Sequence, residues 1–110
     1  MRTIYRTPEF DEFLNDADEQ LKKKIAYIFE IIGSMPVINA KIAKKLINTE
    51  LYEIRIQINN EYRVITYTID HEDINQCKNV LLISGFMKKS TKDYDKEIKK
   101  AIKILEQWKE

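Results

Sequence analysis

The chain has 110 residues, 44% of them apolar and 34% charged, with 19 basic against 18 acidic groups and a net charge of +1. That length makes one soluble globular domain able to bury about two-thirds of its unfolded surface, so folding requires neither a disulfide nor a structural metal. The lone Cys77 and lone His71 exclude an intramolecular disulfide, a cysteine-cluster metal site and a Cys–His nucleophile pair. The amino end, MRTIYRTPEF, turns polar after five residues. No apolar stretch long enough for a membrane span and no signal-peptide pattern is present, and the reducing cytoplasm is the expected location.

In chain order, Thr3 to Arg6 reads as an edge strand. Thr7-Pro8-Glu9 then starts a helix, with a hydroxyl cap, proline at the first helical position and an acid beside it. Phe10, Phe13, Leu14 and Ala17 fall at helical spacing. A second helix begins near Asp18 and carries Leu21, Ile25, Ile28, Phe29 and Ile32 three or four residues apart. Gly33 fits a left-handed cap at its end, and Pro36 stops it from continuing. The two helices are expected to lie antiparallel. Asn39 to Leu46 reads as a further short helix, with Ile42 and Leu46 inward and its lysines outward.

In LYEIRIQINNEYRVITYTID, Tyr52, Ile54, Ile56 and Ile58 alternate with Glu53, Arg55 and Gln57, the period of a half-buried strand. Asn59-Asn60 marks a tight turn, and Glu61 to Ile69 returns as the partner strand. HEDINQCKN is a polar connection. In NVLLISGF, the unbroken run Val80-Leu81-Leu82-Ile83 predicts a strand buried on both faces. Ser90 or Thr91 caps a last helix with Tyr94, Ile98, Ala101, Ile102, Leu105 and Trp108 on one stripe. Early acids and later lysines suit its dipole.

The hairpin turn carries a functional consequence. A strict two-residue loop at Asn59-Asn60 pairs Ile56 with Arg63 and places a charge among the isoleucines, at high cost. A three-residue loop that includes Glu61 pairs Ile58 with Tyr62 and Gln57 with Arg63. It gathers Tyr52, Ile54, Ile56, Ile58, Tyr62 and Val64 on one face and Glu53, Arg55, Gln57 and Arg63 on the other. The second register is preferred.

Charge is unevenly spread. Eight lysines face five acids from Phe86 to the end, three lysines face none from Ile38 to Asn48, and the first 36 residues lean acidic. Such a dipolar surface holds a polyanion on one side. Two arginines and a carboxylate on one sheet face, close to FMKKSTKDY, suit phosphate handling, because the guanidinium fork matches phosphate oxygens. The bland alternative is an exposed sheet face laced with surface ion pairs.

The order of elements resembles the RelE/HigB superfamily of bacterial toxin–antitoxin ribonucleases, and most closely its phage-derived, HigB-type branch. A Leu-x-Glu-Leu-Arg strand, a Tyr-Arg-Val strand, a Gly-Phe-x-Lys-Lys segment and a helix near a Glu-Ile pair recur there. Their counterparts here are Leu51-Tyr52-Glu53-Ile54-Arg55, Tyr62-Arg63-Val64, Gly85-Phe86-Met87-Lys88-Lys89 and Glu97-Ile98. The likeness spans nearly the whole chain.

That resemblance implies an α+β fold, a twisted and mainly antiparallel sheet against an N-terminal helical hairpin, closed by a C-terminal helix. It also implies ribosome-dependent cleavage of messenger RNA without metal or cofactor. The implied partners are a cognate antitoxin, the ribosome and its message, with operator DNA reached only through the antitoxin complex. Carried over by position, Arg55, Arg63 and Lys88 hold the scissile phosphate. Glu53, Lys89 or Tyr94 assists proton transfer, and Lys89 and Lys92 bind RNA. RelE proper has a lysine where Glu53 stands, and the catalytic histidines of some HigB members have no counterpart. The same fold carries ParE-like toxins that bind DNA gyrase without cleavage, and a partner-binding module with no toxicity is a third reading.

Other residues have plainer readings. His71 is expected to be exposed, Cys77 to be a structural bystander, and Lys22-Lys23-Lys24 a solvated helix face. Trp108 is expected to complete the helix stripe or meet the antitoxin.

Overall fold

The computed structural model describes residues 1–110. The chain runs through β1 (Thr3–Arg6), α1 (Pro8–Asp16), α2 (Glu19–Ser34), β2 (Ala43–Lys45), β3 (Leu51–Ile58), β4 (Asn60–Thr68), β5 (Asn79–Met87) and α3 (Thr91–Lys109). The strands form one sheet in the order β1-β5-β4-β3-β2, with β1 parallel to β5 and every other pairing antiparallel. α1 and α2 cover one face, where Phe10, Leu21, Ile25, Ile28 and Ile32 pack on Ile54, Ile56, Val64, Val80 and Leu82. α3 covers the other, placing Ala101, Ile104 and Leu105 on Leu51, Ile65, Leu81 and Ile83. This is the α+β architecture the sequence predicts, and no helix is long and apolar enough to cross a membrane.

Local chemistry accounts for the helix starts. The side chains of Thr7, Asp18 and Ser90 accept from the backbone N–H groups of Phe10, Leu21 and Asp93, each satisfying a donor that the first helical turn leaves free. Val80, Leu81, Leu82 and Ile83 are all 1% exposed or less, as a strand covered on both faces requires. Ile104, absent from the predicted α3 stripe, is buried, whereas Trp108 stays 43% exposed and meets Tyr67 edge-on at 6.4 Å.

Three expectations are corrected. First, Gly33 does not cap α2: the helix runs on to Ser34 and ends at Met35 with φ −83°. A left-handed cap is unnecessary because Arg2 takes the helix's last carbonyls, its backbone N–H donating to Gly33 O and its guanidinium to Ile32 O and Met35 O. Second, the 39–46 segment forms no helix. Ala43, Lys44 and Lys45 pair with Ile54, Glu53 and Tyr52 as β2, which covers part of the open edge of β3. Ile42 and Leu46 do pack inward, but on opposite faces of the sheet.

Third, the hairpin register is neither of the two expected. Asn59 alone makes the reversal at φ 60°, and Ile56 pairs with Tyr62 and Arg55 with Arg63. Asn60 and Glu61 join the ladder, and Glu61 O also accepts from Lys88 N at 2.8 Å, which extends β4 to the end of β5. The preferred register is displaced by two residues. A shift of two leaves every side chain on its own face, so the predicted partition of isoleucines from arginines holds.

β5 also carries an irregularity in its register. Ile65 pairs with Ser84 but Thr66 with Leu82, leaving Ile83 as an extra residue whose carbonyl accepts from the Thr7 hydroxyl. The bulge turns Phe86 to the α3 side beside Arg63 and aims Gly85 at α1. A Cβ on Gly85 would lie 2.3 Å from Phe13 Cδ2, and that ring already packs between Phe10 and Tyr62 at 5.9 and 6.3 Å. Gly85→Ala is therefore expected to cost about 1–3 kcal/mol through overpacking. An unchanged urea midpoint would show that the Phe13 ring yields freely.

Candidate functional site

Period-two alternation along β3 places Glu53 and Arg55 on the α3 side of the sheet, and the Arg55–Arg63 pairing brings two guanidinium groups side by side. Like charges directly opposite repel. Glu53 offsets this: its Oε2 accepts from Arg55 Nε at 2.9 Å and lies 3.5 Å from Arg63 Nε. The contact to Arg63 is an ion pair without hydrogen-bond geometry, since Nε has no hydrogen-bond acceptor. Arg63 instead donates through Nη1 to Tyr62 O at 3.0 Å, while its Nη2 lies 3.5 Å from Glu61 Oε1. Glu53 and Arg63 are buried, whereas the Arg55 side chain is 39% exposed.

α3 supplies the lid of this cluster. The Tyr94 hydroxyl donates to Glu53 Oε1, its ring meets Phe86 edge-on at 6.0 Å, and Lys88 Nζ stands 5.4 Å from the ring centroid. Burial pushes the Glu53 carboxyl up, but hydrogen bonds from Tyr94 and Arg55 and the charges of Arg63 and Arg55 outweigh it and hold it below its usual value. Tyr94 moves the other way: burial first, then the hydrogen bond and charge of Glu53, raise its phenol well above its usual range. At neutral pH the pair is a carboxylate acceptor and a phenol donor, and Arg55 is held by the first while exposed to solvent.

Above the cluster opens a cleft of about 490 Å³. Of the residues predicted from sequence, Glu53, Arg55, Lys88 and Tyr94 line it. Arg63 does not line it and stays buried beside Glu53, and Lys89 and Lys92 are exposed outside it. The cleft also takes in Lys44 and Lys99, which sequence reasoning missed. Lys44 pairs with Glu53 and so shares its face, a relation visible only once residues 43–45 are known to be a strand. Lys45 Nζ instead stands 5.1 Å from the Tyr52 ring centroid. Three lysines, Lys44, Lys88 and Lys99, surround one held guanidinium, with Asp95 as a further acid on the wall, and an arrangement with this excess of positive charge suits a phosphate group.

The remaining candidates lie elsewhere. His71 is exposed and its Nδ1 accepts from Asp73 N at 3.0 Å, which pins a turn. Cys77 is buried, and that burial raises its thiol pKa. No three His, Cys, Asp or Glu side chains come close enough to share an ion.

The family model "Phage derived protein Gp49-like (DUF891)" matches residues 12–106. The fold is similar to that of a chain in the intact E. coli RelBE toxin–antitoxin complex, with TM-score 0.59 and 17% identity, covering 82% of this chain and 100% of that one. The isolated E. coli RelE toxin gives TM-score 0.57 and 16% identity, covering 91% and 98%. Among curated proteins, none matches the sequence significantly. The architecture is that of RelE.

Proposed function

The chain belongs to the Gp49-like family of phage-derived proteins, and on that premise we propose that it is the toxin of a toxin–antitoxin pair, a ribosome-dependent messenger-RNA endoribonuclease. The observation that carries this reading is the cleft in which Glu53 holds the half-exposed Arg55 among Lys44, Lys88 and Lys99. The RelE fold, found in a structure described as a toxin–antitoxin complex, supports both the toxin role and a cognate antitoxin as partner. The ribosome and its message are the target in the cytoplasm, and operator DNA is met only through the antitoxin complex.

The chemistry needs three things. The ribose 2′-hydroxyl loses its proton and attacks the adjacent phosphorus, negative charge on the phosphate is stabilised, and the 5′-oxygen leaves with a proton as the P–O5′ bond breaks. The products are a 2′,3′-cyclic phosphate and a 5′-hydroxyl. Arg55 and Lys88 meet the phosphate, and Arg63 adds positive potential from its buried place beside Glu53. Glu53 already accepts from Arg55 and Tyr94, so it serves as the positioning residue for Arg55. Tyr94 donates its only O–H to Glu53 and keeps that proton far above neutral pH, so it fixes the carboxylate, and the lysine ammonium groups lining the cleft are the donors left for the leaving oxygen. Of the remaining proton-transfer candidates, Lys89 stands exposed outside the cleft, on the segment between β5 and α3, and serves as base only for a strand that reaches past the rim.

Primer extension on messages from cells in which the chain is induced tests this. The wild type is expected to produce discrete cuts in translated messages. Arg55→Ala is expected to reduce cutting about 100-fold or more, the loss typical of one transition-state donor. Cuts of undiminished strength in that variant would refute the assignment. Growth arrest with intact messages would point to gyrase binding, and no arrest to a partner-binding module.

A further inference from the structure

Three of the twelve residues lining the cleft are aliphatic and have no part in phosphate chemistry. Leu46 and Ile47 reach the cleft from the turn after β2, and Ile98 reaches it from α3, one turn beyond Tyr94 on the same helix face. Ile47 is 84% exposed, more than any other large apolar side chain except Met1.

A single exposed isoleucine is ordinary, but this one is held rigidly in place. Leu46 N donates to Leu51 O at 2.9 Å, the Thr49 hydroxyl donates to Leu46 O at 2.9 Å, and Leu51 N donates to Thr49 Oγ1 at 3.0 Å. Asn48 closes the turn at φ 61°, a conformation that asparagine tolerates better than most residues. The turn thus keeps Ile47 out of the core and at the rim of the cationic cleft. Cations and an apolar wall around one space of about 490 Å³ match a ligand that is anionic at one end and flat and weakly polar at the other.

We propose that Leu46, Ile47 and Ile98 form a nucleobase subsite, in which one base of a bound strand lies against their methyl groups while its phosphate meets Arg55, Lys44 and Lys88. The inference rests on the nucleic-acid reading given above and adds where the base goes. None of the three side chains carries a donor or acceptor, and the Thr49 hydroxyl is committed to the turn. The subsite therefore accepts any base by its face and does not read base edges.

The test uses the free full-length protein and two non-cleavable probes, a DNA trinucleotide and the same trinucleotide with an abasic central position. Carbon-13 methyl signals of Ile47 and Ile98 are followed on titration, together with the Arg55 Nε–H signal. Both probes are expected to shift Arg55, and only the base-bearing one to shift the two isoleucines. Ile47→Ser, at a site too exposed to unsettle the fold, is expected to weaken the base-bearing probe about 5- to 10-fold and leave the abasic one unchanged. Equal isoleucine shifts with both probes, absent shifts, or equal weakening of both would overturn the subsite. Messages cut in cells without the base-dependent shifts would sink the subsite and leave the ribonuclease standing. Base-dependent shifts without cut messages would do the reverse.

Discussion

Glu53→Ala is expected to lower stability by about 3–5 kcal/mol, the cost of leaving a buried charge without its partner. Glu53 is 3% exposed and Arg63 5%, so removal of the carboxylate leaves Arg63 directly beside Arg55 with only the exposed Glu61 as an anionic neighbour. Glu53→Gln retains an acceptor for Tyr94 and separates charge from shape, so it is expected to cost less. The pH dependence has a definite sign. Because the folded carboxyl sits below its ordinary value of 4.5, its ionised form stabilises the native state fully above that value. This contribution is lost as pH falls from 4.5 through the lower folded value. Urea midpoints of wild type and Glu53→Gln should therefore differ most at neutral pH and converge in acid. A gap that widens below pH 4.5 would refute the assignment of Glu53 as the ionised centre of the cluster. Both variants should also lose message cleavage, since Arg55 loses its anchor.

Arg2→Met carries the second large effect, an expected loss of about 2–4 kcal/mol from stranded buried carbonyls. Arg2 is 7% exposed, and no carboxylate lies within ion-pair distance of it. Its guanidinium donates to Ile74 O at 2.8 Å, Ile32 O at 3.0 Å, Met35 O at 2.6 Å and Pro36 O at 3.0 Å. Three of these carbonyls lie at or just past the C-terminal end of α2, where the helix dipole is negative and the last carbonyls lack helical partners. The fourth ties in the β4–β5 connection. Arg2→Lys should recover only part of the loss, because an ammonium has three donors and no planar fork for four acceptors. Thermal unfolding of the two variants decides it. A lysine variant equal to wild type would reduce the role of Arg2 to simple charge.

The sites of these two effects were not equally legible. The Glu53 cluster follows from alternation along residues 52–58 and from the rule that a two-residue slip preserves faces, so its membership was readable although its register was not. Arg2 reads in the sequence as one basic residue among 19. Its acceptors lie between 30 and 72 residues away, and no local pattern announces them. Lys44 was hidden for a related reason. Residues 39–46 have helical spacing, but the open edge of β3 offers backbone partners that a helix would leave unused.

The sequence by itself carries the helix starts and the alternation of side chains along the strands, features set within a turn or two of chain. The Thr7 cap, helix starts near Asp18 and at Ser90 or Thr91, the buried run of β5, and the separation of isoleucines from arginines across the hairpin all follow from side-chain chemistry and period. What only the tertiary structure decided was everything set by distant partners. These are the Arg55–Arg63 register, the bulge at Ile83 that seats Phe86 beside Arg63, the clamp of Arg2 on α2, and the entry of Lys44 into the cleft. The reason is physical: a backbone group or buried charge takes whatever partner the assembled sheet brings within about 3 Å, and that partner is chosen by folding rather than by sequence distance.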